Sequence, residues 1–326
     1  MFARKNLLII LIIILISASI LMIYLINISN VYNPSSRAVT TGKELIKIKI
    51  GLIPVVDSFP IFIAEKEDLF KKHGLDAEIV LFGSAKDRDN AIISGAVDVA
   101  IHDPVGTLIL YSRNVSVKII GFLCCDIMNE SNIGFYLLAS PTQETGNITS
   151  VAVSRNTIIE YVAWKMLENM NIDPSKINFI DVPSITNRYQ LLIEGKISFA
   201  VLPDPWGTLI INKGAKLISR YKDLVVIIAR EEYIKKPYGR DALKRLVDVI
   251  NEAIDLYTKD PDKYIDYINE KLSIPKELIG VFKISWSRHV SKPSEQLIEE
   301  INSWLLERGI ISRKIDYKDV VEDLWR

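Results

Sequence analysis

GAVDVAIHDPVGTLI (residues 95–109) and GKISFAVLPDPWGTLI (residues 195–210) decide the fold. Within them DPVGTLI at 103–109 and DPWGTLI at 204–210 agree at six of seven positions, and GAVDVA and GKISFA begin 100 residues apart. Such a match marks an internal duplication. Outward from the first copy, KIKIGLIPV (47–55) alternates and stops at a proline, a helical stretch over about 62–72 ends at His73-Gly74, and DAEIVLFG (76–83) is a second strand. The polar run SAKDRD (84–89) opens a short helix, and AVDVAI (96–101) is the third strand. Around the second copy the order returns as SVAVS (150–154), RNTIIEYVAWKMLENMNI (155–172), KINFIDV (176–182), TNRYQLLIEG (186–195) and ISFAVL (197–202). Strand–helix alternation of this kind builds a mostly parallel sheet with helices on its faces. The chain therefore reads as two doubly wound α/β lobes joined by a hinge.

The connecting segments set the expected boundaries. VKIIGFL (117–123) and GFYLLAS (134–140) read as further strands, the second carrying the chain into lobe two near Ser140-Pro141, and LVVIIARE (224–231) offers a way back. Lobe one is expected over 46–139, lobe two over 140–230, and the return with C-terminal helices over 231–326. Those helices are expected near 240–258, 261–271, 276–283, 294–308 and 316–325.

Composition narrows the function classes. Lysine plus arginine and aspartate plus glutamate are 40 each, so no basic field advertises a nucleic-acid partner. The two cysteines, Cys124 and Cys125, are neighbours, and the three histidines, His73, His102 and His289, form no zinc-binding spacing. The adjacent thiols read as a buried apolar pair, and neither a metal nor another cofactor is expected.

Arg4 and Lys5 precede LLIILIIILISASILMIYLI (7–26), an apolar run long enough to cross a bilayer as a helix. The basic flank orients the amino terminus inward. An uncleaved N-terminal transmembrane anchor is expected, with a cleaved long signal peptide as the alternative. SNVYNPSSRAVTTGKE (29–44) reads as a polar tether, and the body is then extracellular, held to the cell membrane by a single pass. Sequons at Asn114, Asn129 and Asn147 agree with export.

In open α/β sheets a ligand lies beyond the carboxyl ends of the strands, near helix N-termini whose backbone N–H groups are unspent. This singles out loops 54–60, 83–88 and 102–106 in lobe one and 154–158, 182–188 and 203–207 in lobe two. Asp57, Phe59, Ser84, His102 and Asp103 are the candidate ligand contacts from the first lobe. Arg155, Asn156, Thr157, Asp204 and Trp206 are those from the second. Asp103-Pro104 and Asp204-Pro205 also fit a helix cap followed by proline, and Ser84, Asn156 and Thr157 fit caps as well as contacts. Phe59 and Trp206 on opposite lobes would enclose a planar or partly apolar solute, with Arg155 receiving an anionic group. Arg188, like Arg155, fits a bidentate pair with an anionic group, and an internal pair with Glu160 or Asp181 is its favoured reading.

IGLIPVVDSFPIFIAEKEDLFKKHGLDAEIVLFGSAKDRDNAIISGAVDVAIHD (50–103) and the second-lobe segments above resemble the nitrate, sulfonate, taurine and bicarbonate class of ABC substrate-binding proteins, the SsuA/THI5-like class. The resemblance runs from about Lys47 to the last helices. It implies a type II periplasmic-binding fold, hinge closure on a small-molecule solute, delivery to an ABC permease with its cytoplasmic ATPase, a monomer, and no catalysis. A long anchor replaces the usual lipobox or cleaved signal, and the cysteine-rich run of thiamine-precursor synthases is missing. An enzyme on the same fold and a ligand-binding sensor ectodomain are the rival readings.

Overall fold

The computed structural model describes residues 44–123, 134–143, 146–272 and 289–324. The expected anchor and tether, the Cys124-Cys125 pair, Asn129 and the helix at 276–283 lie outside the described residues. Among the described residues no helix is long and apolar enough to cross a membrane.

In chain order the elements are β1 Ile46–Leu52, α1 Phe59–Lys66, β2 Leu75–Leu81, α2 Ala85–Ser94, β3 Val99–His102, α3 Pro104–Ser112, β4 Val117–Leu123 and β5 Phe135–Ala139. They continue with β6 Ser150–Val153, α4 Ile158–Asn169, β7 Asn178–Asp181, α5 Ile185–Ile193, β8 Phe199–Pro203, α6 Trp206–Asn212, β9 Lys216–Tyr221 and β10 Val225–Arg230. The longer helices that follow are α7 Gly239–Lys259, α8 Asp262–Lys271 and α9 Glu295–Glu307. Two five-stranded sheets result, ordered β2-β1-β3-β10-β4 and β7-β6-β8-β5-β9. Both belong to one compact unit, Leu45–Arg326. The duplication seen in the sequence is a duplication of topology. In each sheet four strands share one direction and a single strand runs against them, β10 in the first and β5 in the second.

Those two antiparallel strands correct the expected boundaries. FYLLA at 135–139 pairs with β8 from Phe135↔Pro203 to Ala139↔Phe199, so it already belongs to the second sheet. β10 pairs with β3 and β4, so 225–230 belongs to the first. The chain crosses between Leu123 and Phe135, and again at 222–224, rather than near 140 and 230. All five residues of β5 and the first five of β10 are buried. A run apolar on both faces announces a central strand without saying in which sheet it lies.

Local chemistry explains why the elements start where they do. Ser84 accepts a hydrogen bond from the Asp87 amide at 3.2 Å to begin α2, and Ser184, 100 residues on, accepts one from the Asn187 amide at 3.3 Å to begin α5. Gly95 and Gly195 take the left-handed conformation just after these helices, at φ +77° and +70°, a geometry that glycine adopts at little cost. The long helix α7 buries a stripe including Leu243, Leu246, Ile250 and Ile254 against lobe one. Of the helix expected at 316–325, Tyr317–Val320 alone is helical among the described residues, and Val321 bridges to Ile119 of β4. α9 touches both halves: Trp304 meets the Tyr161 ring edge-on at 5.1 Å, Tyr161 donates to Glu300 at 2.8 Å, and Ile298 and Leu305 join a core that also contains Val105 and Leu108 of α3.

Candidate functional site

The loops at the carboxyl ends of β1, β3, β6 and β8 face one another across the two lobes and enclose a cavity of about 40 Å³. Ile53, Val55, Asp57, Ala85, Arg88, Ile101, His102 and Asp103 line it from lobe one. Phe135, Ser154, Thr157, Ile158, Ile159, Pro183, Ile185, Arg188 and Pro203 line it from lobe two, with Asp223 and Leu224 from the second crossing. Outside the cavity, Lys86 of α2 reaches the Asp181 carboxylate of β7 at 2.7 Å, tying lobe to lobe. Burial alone would raise Asp181, but the Arg155 amide at 2.9 Å and the Lys86 ammonium hold it below its ordinary value. A second tie lies at the other side, where the Trp206 indole donates to the Pro54 carbonyl at 3.2 Å and the Val56 amide to the Asp204 carbonyl at 3.3 Å. Both contacts join the two lobes.

Two arginines sit at equivalent places in the duplication. Arg88 donates from Nη1 to the Ile101 carbonyl at 3.0 Å, and Arg188 donates from Nε to the Val201 carbonyl at 2.7 Å, the acceptor being 13 residues ahead in each case. Their electrostatics differ. Arg88 is bracketed by Asp89 at 3.0 Å and Asp103 at 3.5 Å. Arg188, fully buried, spends Nη1 on the Val182 and Pro183 carbonyls at 2.5 and 3.4 Å and leaves Nη2 without a partner. The position equivalent to Asp89 is Tyr189. Loss of water lowers the Arg188 guanidinium to about 10, with Asp181 opposing, because no carboxylate touches it to offset burial.

Asp57 and Asp223 form the second unusual feature. They share a hydrogen bond, and burial together with the neighbouring carboxyl pushes Asp57 well above the ordinary carboxylate range, Arg88 opposing. Burial also raises Asp223, although the Asp57 hydrogen bond and the Leu224 amide at 2.8 Å pull the other way. Two buried acids in contact disfavour each other's ionisation. Asp57 Oδ1 has no partner, and neither has Ser154 Oγ.

The expected site residues divide accordingly. Asp57, His102, Asp103 and Thr157 line the cavity. His102 is held on both sides, Nε2 at 2.8 Å from Asp89 and Nδ1 at 2.8 Å from the Asp103 carbonyl. Burial would raise Asp89, but His102 and Arg88 outweigh it and hold that carboxyl well below its ordinary value. Asp103 caps α3 through the Gly106 amide at 2.7 Å, and Thr157 caps α4 through the Ile159 amide at 3.2 Å. Ser84 is a cap beside the cavity and not part of its wall. Arg155 and Asn156 are exposed at the rim, Arg155 paired with Glu160 at 3.5 Å.

Three expectations are corrected. Phe59 is the first residue of α1 and packs into the core against Tyr257, because the loop before it is only a short turn at 56–58. Trp206 packs on Tyr189 at 5.5 Å and fastens the lobes through its indole N–H, outside the cavity wall. Asp204 is fully buried and receives Tyr136 at 2.7 Å, the Thr208 hydroxyl at 2.8 Å, the Thr208 amide at 3.2 Å and the Gly134 amide at 3.3 Å. Burial raises it to about 7 against those donors. Pro205 precedes the helix instead of opening it, after a cis peptide bond to Asp204. The two facing aromatics thus lie outside the cavity wall, and the aromatic in that wall is Phe135.

Arg188 pairs with neither Glu160 nor Asp181 in the way the sequence reading assigned. Glu160 instead binds the Asn156 amide at 2.7 Å and Arg308 at 3.1 Å. Arg88, Ser154 and Asp223 were not singled out. A usable signal was present: Ser84 with Arg88 and Ser184 with Arg188 repeat at the same offset as the strands. Among the described residues no group of three or more His, Cys, Asp or Glu side chains is set to hold a metal ion.

The comparisons with known proteins agree on the scaffold. The family model described as NMT1/THI5 like matches residues 56–264. A protein of Brachyspira hyodysenteriae, named as an ABC transporter periplasmic binding protein, is 24% identical over 253 residues, 70% of each chain. The alkanesulfonate-binding protein SsuA of Xanthomonas axonopodis pv. citri, solved bound to MOPS, superposes with a TM-score of 0.72 at 13% identity, covering 86% of this chain and 99% of its own. The periplasmic aliphatic sulphonate binding protein SsuA of Escherichia coli gives 0.68 at 12% identity, covering 85% and 97%. At such identities the two structures establish a shared fold.

Proposed function

Because this chain belongs to the NMT1/THI5-like family, we propose that it is the solute-binding component of an ABC importer, closing two lobes on a small solute and passing it to a permease with a cytoplasmic ATPase. One observation carries the reading. Asp57 Oδ1 from lobe one, and Ser154 Oγ and Arg188 Nη2 from lobe two, are buried, without partners, and line the same cavity. Native proteins leave few buried polar atoms unpaired, and three around one cavity mark groups kept for something that enters. The Brachyspira relative and the two SsuA proteins support the transport role.

The same geometry favours capture over catalysis. His102 is occupied at both ring nitrogens, and Ser154 Oγ has no base beside it, so the cavity lacks a nucleophile paired with a base. Outside the described residues, the apolar run 7–26 serves as a single-pass anchor that keeps the body extracellular. Native mass spectrometry of the full-length chain, incubated with the small-molecule fraction of its own cells and desalted, tests the reading. One solute per chain is expected. A chain that retains none, and whose melting temperature the fraction does not raise, contradicts it.

A further inference from the structure

The cavity's unspent groups are not alike, and their difference describes what enters. Arg188 is a buried cation with no carboxylate in contact, Asp181 acting on it only at longer range, and two unused N–H donors on Nη2. A buried charge left uncompensated is costly and calls for an opposite charge. Ser154 Oγ, 3% exposed as a residue and also unspent, belongs to the same lobe. The twelve-residue helix α4 begins at the Thr157 cap in the wall of the same cavity and adds the positive end of its dipole. Every one of these features attracts an anionic acceptor.

Lobe one and the crossing present the reverse. Four carboxyl groups, Asp57, Asp89, Asp103 and Asp223, stand around two basic ones, Arg88 and His102, and Arg88 is already bracketed by Asp89 and Asp103. An anion is repelled there. The hydrogen bond joining Asp57 to Asp223 takes one oxygen of Asp57, and Oδ1 remains with acceptor lone pairs. Such an atom is satisfied by an N–H or O–H donor. Ile53, Val55, Phe135 and Ile185 supply apolar wall to the same cavity. At about 40 Å³ the cavity suits a compact occupant.

We infer that the solute is a compact bifunctional molecule, with an anionic acceptor group held by Arg188 and Ser154 and an N–H or O–H donor held by Asp57, joined by a short apolar link. This rests on the solute-binding reading above and specifies it.

Four probes of one length separate the requirements: β-alanine and 3-hydroxypropionate carry both groups, propionate lacks the donor and propylamine lacks the anion. In calorimetry on the full-length chain, at least one bifunctional probe should bind about tenfold or more tighter than propionate, since propionate leaves Asp57 Oδ1 buried and unpaired. Propylamine should bind more weakly still. In Asp57→Ala, and in Asp57→Asn as a second variant of similar shape, the advantage of the bifunctional probe over propionate should shrink. Propionate binding as tightly as both bifunctional probes, or propylamine binding best, overturns the inference. A solute captured from cells that lacks either an anionic group or an N–H or O–H donor also overturns it, while leaving the capture reading intact. A captured solute carrying both supports it even where all four probes are too weak to measure. Failure of the probes and of the cell fraction together removes the capture reading itself.

Discussion

Replacing Ser154 by alanine should move stability and affinity in opposite directions. The Ser154 hydroxyl is buried and has no hydrogen-bond partner, whereas its backbone carbonyl receives the Thr157 hydroxyl at 2.7 Å, a contact that alanine keeps. An unsatisfied buried polar group costs about 1–3 kcal/mol, so its removal should stabilise the solute-free protein by about 1 kcal/mol, or about 2 °C in melting temperature. With solute present the hydroxyl has something to bond. A neutral hydrogen bond contributes about 0.5–1.5 kcal/mol and one to a charged group about 1.5–3 kcal/mol, so affinity should fall by about tenfold. Scanning calorimetry without solute and titration calorimetry with it read the two effects on the same preparations. A structural serine gives a different result, with lower stability and unchanged affinity. That outcome, or a variant that is both less stable and weaker in binding, would refute the assignment of Ser154 Oγ to the solute.

Three other outcomes are expected. Lys86→Ala breaks the lobe-to-lobe pair with Asp181, whose two side chains are each 39% exposed; such a pair contributes about 0.2–1 kcal/mol, so solute release measured by stopped flow should quicken by up to about fivefold with the melting temperature nearly unchanged. Asp204, raised to about 7 by burial, binds a proton in the folded state that the unfolded chain, titrating near 3.9, releases sooner. Its stabilising contribution is therefore complete below about pH 4 and lost as pH rises through about 7, with Asp57 and Asp223 acting in the same direction. Melting temperatures between pH 5 and pH 8 should fall in the natural protein and fall less in Asp204→Asn; an equal slope in both contradicts this. The full-length chain should stay with membranes after a carbonate wash and a chain starting at residue 29 should not, whereas release of both removes the anchor reading.

The fold was legible because it is written twice. Ser84 and Ser184, Gly95 and Gly195, and the two DP-x-GTLI segments state the same local rules at matching places, and the alternation of strand and helix needs no tertiary information. The lobe assignment of 135–139 and 225–230 was not legible, since a strand buried on both faces pairs equally well by composition with either sheet. The site was legible as a set of loops and only partly as residues. Asp57, His102, Asp103 and Thr157 stand in the cavity wall, because strand ends and helix caps fix them. Phe59 and Trp206 misled, as an aromatic beside a cleft loop looks the same in sequence whether it faces the solute or the core. In sequence Arg188 fits an anion contact and a local ion pair alike, and its environment depends on Tyr189 standing where the first lobe has Asp89, a contrast visible only when the two arginines are superposed. Asp223 lies in a three-residue crossing between β9 and β10, and no local pattern announces that such a residue will meet Asp57 from the start of the chain.

A crystal structure of the full body purified without denaturation, with its solute retained, tests the central claim most directly. Density is expected for one compact molecule between the lobes, within hydrogen-bonding distance of Asp57 Oδ1, Ser154 Oγ and Arg188 Nη2. A closed protein whose solute lies elsewhere, or whose solute leaves those three atoms unpaired, would contradict it.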